Sequence, residues 1–273
     1  MKETKRTALL LAALLTAAGL VGCGAGNTNQ DQVPHDNGAG TGSQSDAASV
    51  KTGLSVLADI SGSKDAANGE NGTADANFMA VGVMVDDNGI IQKCVIDQVK
   101  AKMEFDDGGR LVTALDTVFP SKNDLGMDYG MKSASSIGKE WNEQARAFAD
   151  YVEGKTLDQV MGIAIDNDGK AQQPDLTASV TISVGDFMVG VQDAVRDAEY
   201  RGARLGDDLE LKIRTTMAES EDAAGTDYGE AIAHAEVILE TRSGTTVTSG
   251  DEEDISAGVE FDRAGVIVNR DID

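Results

Sequence analysis

Three hydroxyls at alternate positions, Thr177, Ser179 and Thr181, stand just before a stretch of helical periodicity, and Asp175 opens the same segment. Val184, Phe187, Met188, Val191, Val195 and Ala198 recur at the spacing that gathers one apolar stripe on a helix. Ser183, with Asp186 three residues on, has the form of a capping box. Hydroxyls at a helix start have an ordinary use in loop hydrogen bonding. They also have a chemical one, because free amides and the positive end of the helix dipole favour a phosphate there. The rest of the chain offers little competing chemistry. It has no Cys-x-x-Cys, no Ser-His-Asp set with a usable histidine, no dinucleotide-binding glycine pattern and no P-loop. No catalytic residue and no metal ligand is assigned. His35 and His234 stand without Cys or His partners nearby, and the Asp-rich turns at 86–89, 106–109 and 166–169 lack the ligand spacing of an EF-hand. They read as hairpin turns.

With 47 acidic against 23 basic residues and a formal net charge of -24, the chain is unsuited to nucleic acid, whose phosphates it would repel. A solvated acidic surface is the plain reading; cation-dependent adhesion is a third function class that rests on charge alone. The start of the chain reads as an address. Lys2, Lys5 and Arg6 precede an apolar run over residues 7–20 that is too short to span a bilayer comfortably. The following Leu20-Val21-Gly22-Cys23 resembles the bacterial lipoprotein signal. That resemblance implies a signal at 1–23 cleaved so as to leave a lipidated Cys23 as the new N-terminus, and a membrane anchor on the outer face of the bacterial cytoplasmic membrane or at the cell surface. Residues 24–50, rich in Gly, Asn, Gln, Asp and Ser, cannot bury enough to offset their ordering entropy and read as a disordered tether. With Cys23 lipidated, Cys94 is the only remaining thiol, so it reads as a small buried hydrophobe in a strand.

The elements that must position the hydroxyl segment begin with strands at 54–60, 77–85 and 90–99, separated by a polar loop at 66–74 and the turn at 86–89. A loop at 122–135 carries Met127, Tyr129 and Met131. Ser135 or Ser136 then caps a helix with Ile137, Trp141, Phe148 and Val152 on one stripe, ended by Gly154. Trp141, the only tryptophan, reads as a core anchor. A short helix at 156–161 and a small hairpin at 162–172 lead back to the hydroxyls. After Gly202 the opening strands recur: Glu260-Phe261-Asp262 with Gly265 echoes Glu104-Phe105-Asp106 with Gly109, and Ser220-Glu221-Asp222-Ala223-Ala224 echoes Ser63-Lys64-Asp65-Ala66-Ala67. On the same offset Ala235, Val237 and Leu239 fall where Met79, Val81 and Val83 fell. The second copy has strands without helices, so its strands are expected either to lean on the first or to be poorly packed.

The segment Asp175-Leu176-Thr177-Ala178-Ser179-Val180-Thr181 resembles the attachment motif of the FMN-binding domain family, which includes the G subunit of Rnf complexes. In that motif an Asp leads through Ser or Thr, Gly and Ala to a Thr or Ser that a flavin transferase esterifies with FMN phosphate. Asp175 and Thr181 match; Ala178, Ser179 and Val180 depart. The order of elements over residues 53–198 is also similar, as are the phrases at 125–132 and 138–141 to those of Gram-positive surface lipoproteins carrying such domains. The resemblance implies FMN on Thr181, with Asp175, Thr177 and Ser179 shaping the loop, and a flavin transferase and membrane redox donors as partners.

The sequence therefore predicts an α+β fold: an antiparallel β-meander sheet with a central amphipathic helix and a C-terminal helix, followed by a partial second copy of the strand region. The expected boundaries are a signal at 1–23, a tether at 24–50, an FMN-binding-like domain at 51–202 and a partial repeat at 203–273. The expected function is an extracytoplasmic, lipid-anchored flavin-based electron carrier rather than a catalyst, with FMN covalent or held in the cleft before Ser183. The alternative is a cofactor-free surface lipoprotein with a binding or structural role.

Overall fold

The structure, a computed structural model, describes residues 47–217 and 228–273. The leader, Cys23, His35, most of the tether and the echo at 220–224 lie outside the described residues. In chain order the elements are β1 (Lys51–Asp59), β2 (Gly72–Val85), β3 (Ile91–Phe105), α1 (Lys122–Leu125), a 3-10 turn at Gly126–Tyr129, α2 (Trp141–Val152), α3 (Leu157–Met161), α4 (Pro174–Thr177), α5 (Gly185–Asp197), β4 (Asp208–Met217), β5 (Tyr228–Ser243), β6 (Thr246–Asp262) and β7 (Ile267–Ile272). They make two antiparallel meander sheets, β1-β2-β3 and β4-β5-β6-β7, in an α+β fold, and the described residues form one compact unit.

Why the strands read so differently follows from what each sheet touches. On β2, Ala74, Ala76, Phe78 and Ala80 are buried on one face, and Met79, Val81, Val83 and Val85 on the other, so the sequence is apolar almost without a break. A strand covered on both sides has no polar face to show. On β5 Ala231, Ala233, Ala235, Val237, Leu239 and Thr241 are buried, alternating with Ile232, His234, Glu236, Ile238, Glu240 and Arg242, which stay partly open. One covered face gives a period of two. The two sheets share the core between them, where Phe105 and Phe261 stack with ring centroids 4.0 Å apart and 5° between planes. Gly72 and Gly229 lie opposite these rings: a Cβ would come within 2.2 Å of the Phe105 ring and 2.5 Å of the Phe261 ring. The second copy's strands thus do lean on the first, helix-free face outward.

Strand pairing corrects the alignment of the two copies. Gly72 pairs with Phe105 as Gly229 pairs with Phe261, and Leu54 pairs with Gly82 as Leu211 pairs with Leu239. Ala235 therefore stands where Phe78 does, not Met79, and Val237 and Leu239 correspond to Ala80 and Gly82. The second hairpin loop is one residue shorter, so an offset that is right for β3 and β6 is one residue short for β2 and β5. A slip of one residue exchanges the faces of a strand. Both hairpins carry their register shift at matching places, between Met84 and Val85 and between Thr241 and Arg242.

The same turn closes hairpins four times among the described residues. The Oδ1 atoms of Asp86, Asp106, Asp166 and Asp262 each accept two amides, at distances of 2.9–3.0 Å, from residues two and four places on. Gly89, Gly109, Gly169 and Gly265 take the positive φ that this loop requires. Those amide bonds hold the Asp86 carboxyl below its ordinary pKa, and for Asp106 the Arg110 side chain is the larger cause.

Helices α2 and α5 cover the outer face of the first sheet. Phe187 joins them, edge-on to Trp141 (5.8 Å) and tilted against Phe148 (5.4 Å). α5 sits so close to β1 that a Cβ on Gly53 would lie 1.9 Å from the Ala194 carbonyl oxygen. Ser55 Oγ donates to the Gly190 carbonyl (3.0 Å), and Asp197 accepts the Leu54 amide (3.1 Å). Two expected caps are different. α5 is preceded by Val184 with no side-chain cap, because Ser183 is drawn into a bridge with Lys170 and the Val184 amide donates to Gly169 (2.8 Å). α2 is capped at Glu140, whose amide donates to Glu143 (2.8 Å), while Ser135 lies a loop earlier.

Candidate functional site

The hydroxyl segment folds as one turn of helix, α4, and a short extended run into α5. Pro174 at the first helical position suits that start, since it has no amide to leave unpaired. Leu176 and Val180 plug into the core, which pins the segment to the surface of α2. Thr181 is partly exposed, and both its amide (2.8 Å) and its hydroxyl (3.2 Å) donate to Gln144 Oε1. Gln144 is wholly buried, and its Nε2 donates to Ser135 Oγ (3.3 Å) and to the Lys139 carbonyl (3.2 Å). Its side chain thereby ties α2, the loop before it and Thr181 together. Glu140 fixes the same loop by accepting the amides of Met131 (2.8 Å) and Lys132 (3.1 Å).

The other three residues do not converge on Thr181. Thr177 Oγ1 donates back to the Pro174 carbonyl (3.2 Å), Asp175 is exposed and accepts the Leu176 amide (3.2 Å), and Ser179 enters the turn through its amide, which donates to Leu176 (2.9 Å). An ester at Thr181 asks for a reachable oxygen on a fixed backbone, and Thr181 has both. Loss of the hydroxyl proton would forfeit one bond to Gln144 and keep the amide bond. A phosphate cradle made of Asp175, Thr177 and Ser179 does not fit, since two of the three groups are turned into local bonds.

Gln144 had a sequence signal. It falls on the apolar stripe of α2, three residues after Trp141 and four before Phe148, where a polar residue must find buried partners. A second unforeseen group is Lys122. Its Nζ donates to Gln98 Oε1 (2.7 Å) and lies 4.6 Å from the Trp141 ring centroid and 5.1 Å from that of Tyr129. Burial pulls its pKa down to about 8, with Lys100 adding to the effect and Asp97 opposing it. Trp141 is 5% exposed, in the core position expected of it, and Cys94 is buried as a free thiol. Burial pushes that thiol up, Glu153 and Asp150 adding to the shift, so it is no nucleophile near neutrality.

A groove of about 530 Å³ lies between α2, the edge of β3 and the start of β4. Asn142, Arg146 and Asp150 face it from α2, roughly half a helical turn around from Gln144. The groove and Thr181 therefore occupy opposite flanks of one helix. No helix among the described residues is long and apolar enough to cross a membrane. In comparison with known proteins, the chain matches no family model, no curated protein and no solved structure.

Proposed function

We propose that this chain is a lipid-anchored electron carrier displayed outside the bacterial cytoplasmic membrane, with FMN esterified to Thr181 and Cys23 carrying the anchor. One observation carries the reading: Thr181, the residue that the motif resemblance marks for attachment, is a partly exposed hydroxyl whose backbone is fixed by the buried Gln144. The flavin, when bound, supplies the one- and two-electron chemistry. The chain's own residues supply position. Gln144 holds the Thr181 amide, Ser135 and the Lys139 carbonyl hold Gln144, and Leu176 and Val180 anchor the loop from below. Flavin transferase and membrane redox donors are the partners this reading requires, and nucleic acid is not among them.

A second reading, a cofactor-free surface lipoprotein that binds something else, draws on the internal bonds of Asp175 and Thr177 and on the separate groove beside α2. Intact mass and in-gel flavin fluorescence of the chain exported beside a flavin transferase separate the two. The carrier reading expects a mass gain of one FMN that disappears in Thr181→Ala. A colourless product of unmodified mass would sink it.

A further inference from the structure

The groove beside α2 is built by three segments distant in sequence, and its chemistry is specific. The floor is the outer edge of β3. There the Cys94 amide donates to the Glu153 carboxylate (3.3 Å) and the Ile96 carbonyl accepts from Asn123 Nδ2 (3.0 Å). By strand alternation the Cys94 carbonyl and the Ile96 amide point out the same way, between these two side-chain caps. One wall is the α2 stripe Asn142, Arg146 and Asp150 with Glu153 just past its end, and the other is Asp208, Leu209 and Glu210 at the start of β4. Among the described residues Lys93 and Arg146 make no ion pair, nor do Asp150 and Asp208, although all four line the groove. The buried Asn142 Oδ1 also has no hydrogen-bond partner. Unused charges of both signs, an orphan acceptor and a strand edge occupy one concavity.

We infer that this groove binds a short unblocked peptide in extended form. Its backbone would pair with the β3 edge, its ammonium end would meet the carboxylates near Glu153, and its carboxylate end would meet Arg146. From Asn142 to Glu153 the wall runs roughly 16 Å, the span of about five extended residues, which leaves room for a tetrapeptide with both charged ends. A volume of about 530 Å³ suits a ligand of that size. The site stands apart from Thr181 and does not depend on flavin.

The test is calorimetric titration of the full chain with tetra-alanine, beside the same peptide acetylated and amidated at its ends. Tetra-alanine should bind with a Kd below about 1 mM, and Arg146→Ala and Asp150→Asn should each weaken it at least tenfold, as should blocking both ends. Both side chains are exposed and outside any ion pair, and a melting temperature within about 2 °C of the parent certifies the fold. Absence of binding by the parent chain overturns the assignment. So does binding that survives both substitutions, or binding that is indifferent to the blocked ends.

Discussion

The two sheets run the same backbone pattern with opposite chemistry on their outer faces. Pairing sets Gly53 against Glu210, Val83 against Glu240 and Ile96 against Glu252 as counterparts. On the first sheet these positions lie under α2 and α5 and are small or apolar. On the second no described helix covers them, and they carry charges joined in ladders such as Glu210, Arg242 and Glu240. Strand propensity is much the same for both. What differs is the layer above, and burying an unpaired carboxylate there would cost far more than any strand preference returns.

If the inner faces form one core, the largest effect should come from the stacked pair at its centre. Phe261→Ala removes a fully buried ring from against Phe105 and should cost about 3–5 kcal/mol, read by urea denaturation. Loss should occur in one transition reported alike by Trp141 fluorescence, in the helical layer, and by far-ultraviolet circular dichroism. Two transitions, with the Trp141 signal unmoved, would mean that the sheets fold separately and would break the comparison at its root.

The next test contrasts counterparts directly. Gly53→Ala drives a methyl into the Ala194 carbonyl and should cost about 1–3 kcal/mol, because α5 must shift off β1. Glu210→Ala, at the matching place on the open face, should stay within about 0.5 kcal/mol. Equal effects at both positions would show that the covering layer does not set the residue type.

Much of this was legible in sequence, because the signals are local. Period-two strands, the Asp-led turns at 86–89, 106–109 and 166–169, the Phe187, Met188 and Val191 stripe and the core place of Trp141 need only neighbours along the chain to be read. The failures are equally physical. The similarity of Glu104-Phe105-Asp106 to Glu260-Phe261-Asp262 is sound, but carrying its offset across a hairpin whose loop is one residue shorter placed Ala235 on the wrong face. The cap expected at Ser183 was lost to a backbone bridge with Lys170, a contact no capping pattern encodes. Of the four loop residues assigned to the site, only Thr181 reaches Gln144. The groove was invisible because Lys93, Arg146 and Asp208 meet only through topology.

The covered layer also holds a charge, and its pH response distinguishes it from a solvated one. Lys122 titrates near 8 in the fold, against about 10.4 in an unfolded chain. Between those values the unfolded state binds more protons, so stability attributable to Lys122 rises as pH climbs from 8 towards 10. Below pH 8 the lysine is charged in both states and its burial opposes folding in full. The stability difference between Lys122→Met and the parent should therefore shift by roughly 2 kcal/mol in the parent's favour from pH 7 to pH 10. A difference that is flat with pH would return Lys122 to the solvated class.

The smallest effect belongs to the open face itself. Arg242 reaches Glu210 (3.1 Å) and Glu240 across the second sheet, and its counterpart under the helices is Val85, which is 4% exposed. Water competes for every member of this ladder and salt screens it. Arg242→Ala should move Tm by no more than about 2 °C, and by less in 0.5 M salt. Val85→Ala should lower Tm several degrees further and respond little to salt, since it leaves a gap in a packed core. If Arg242→Ala were the costlier change, the ladder would be holding the second sheet together, and the outer charges would be structural rather than the default of an uncovered face.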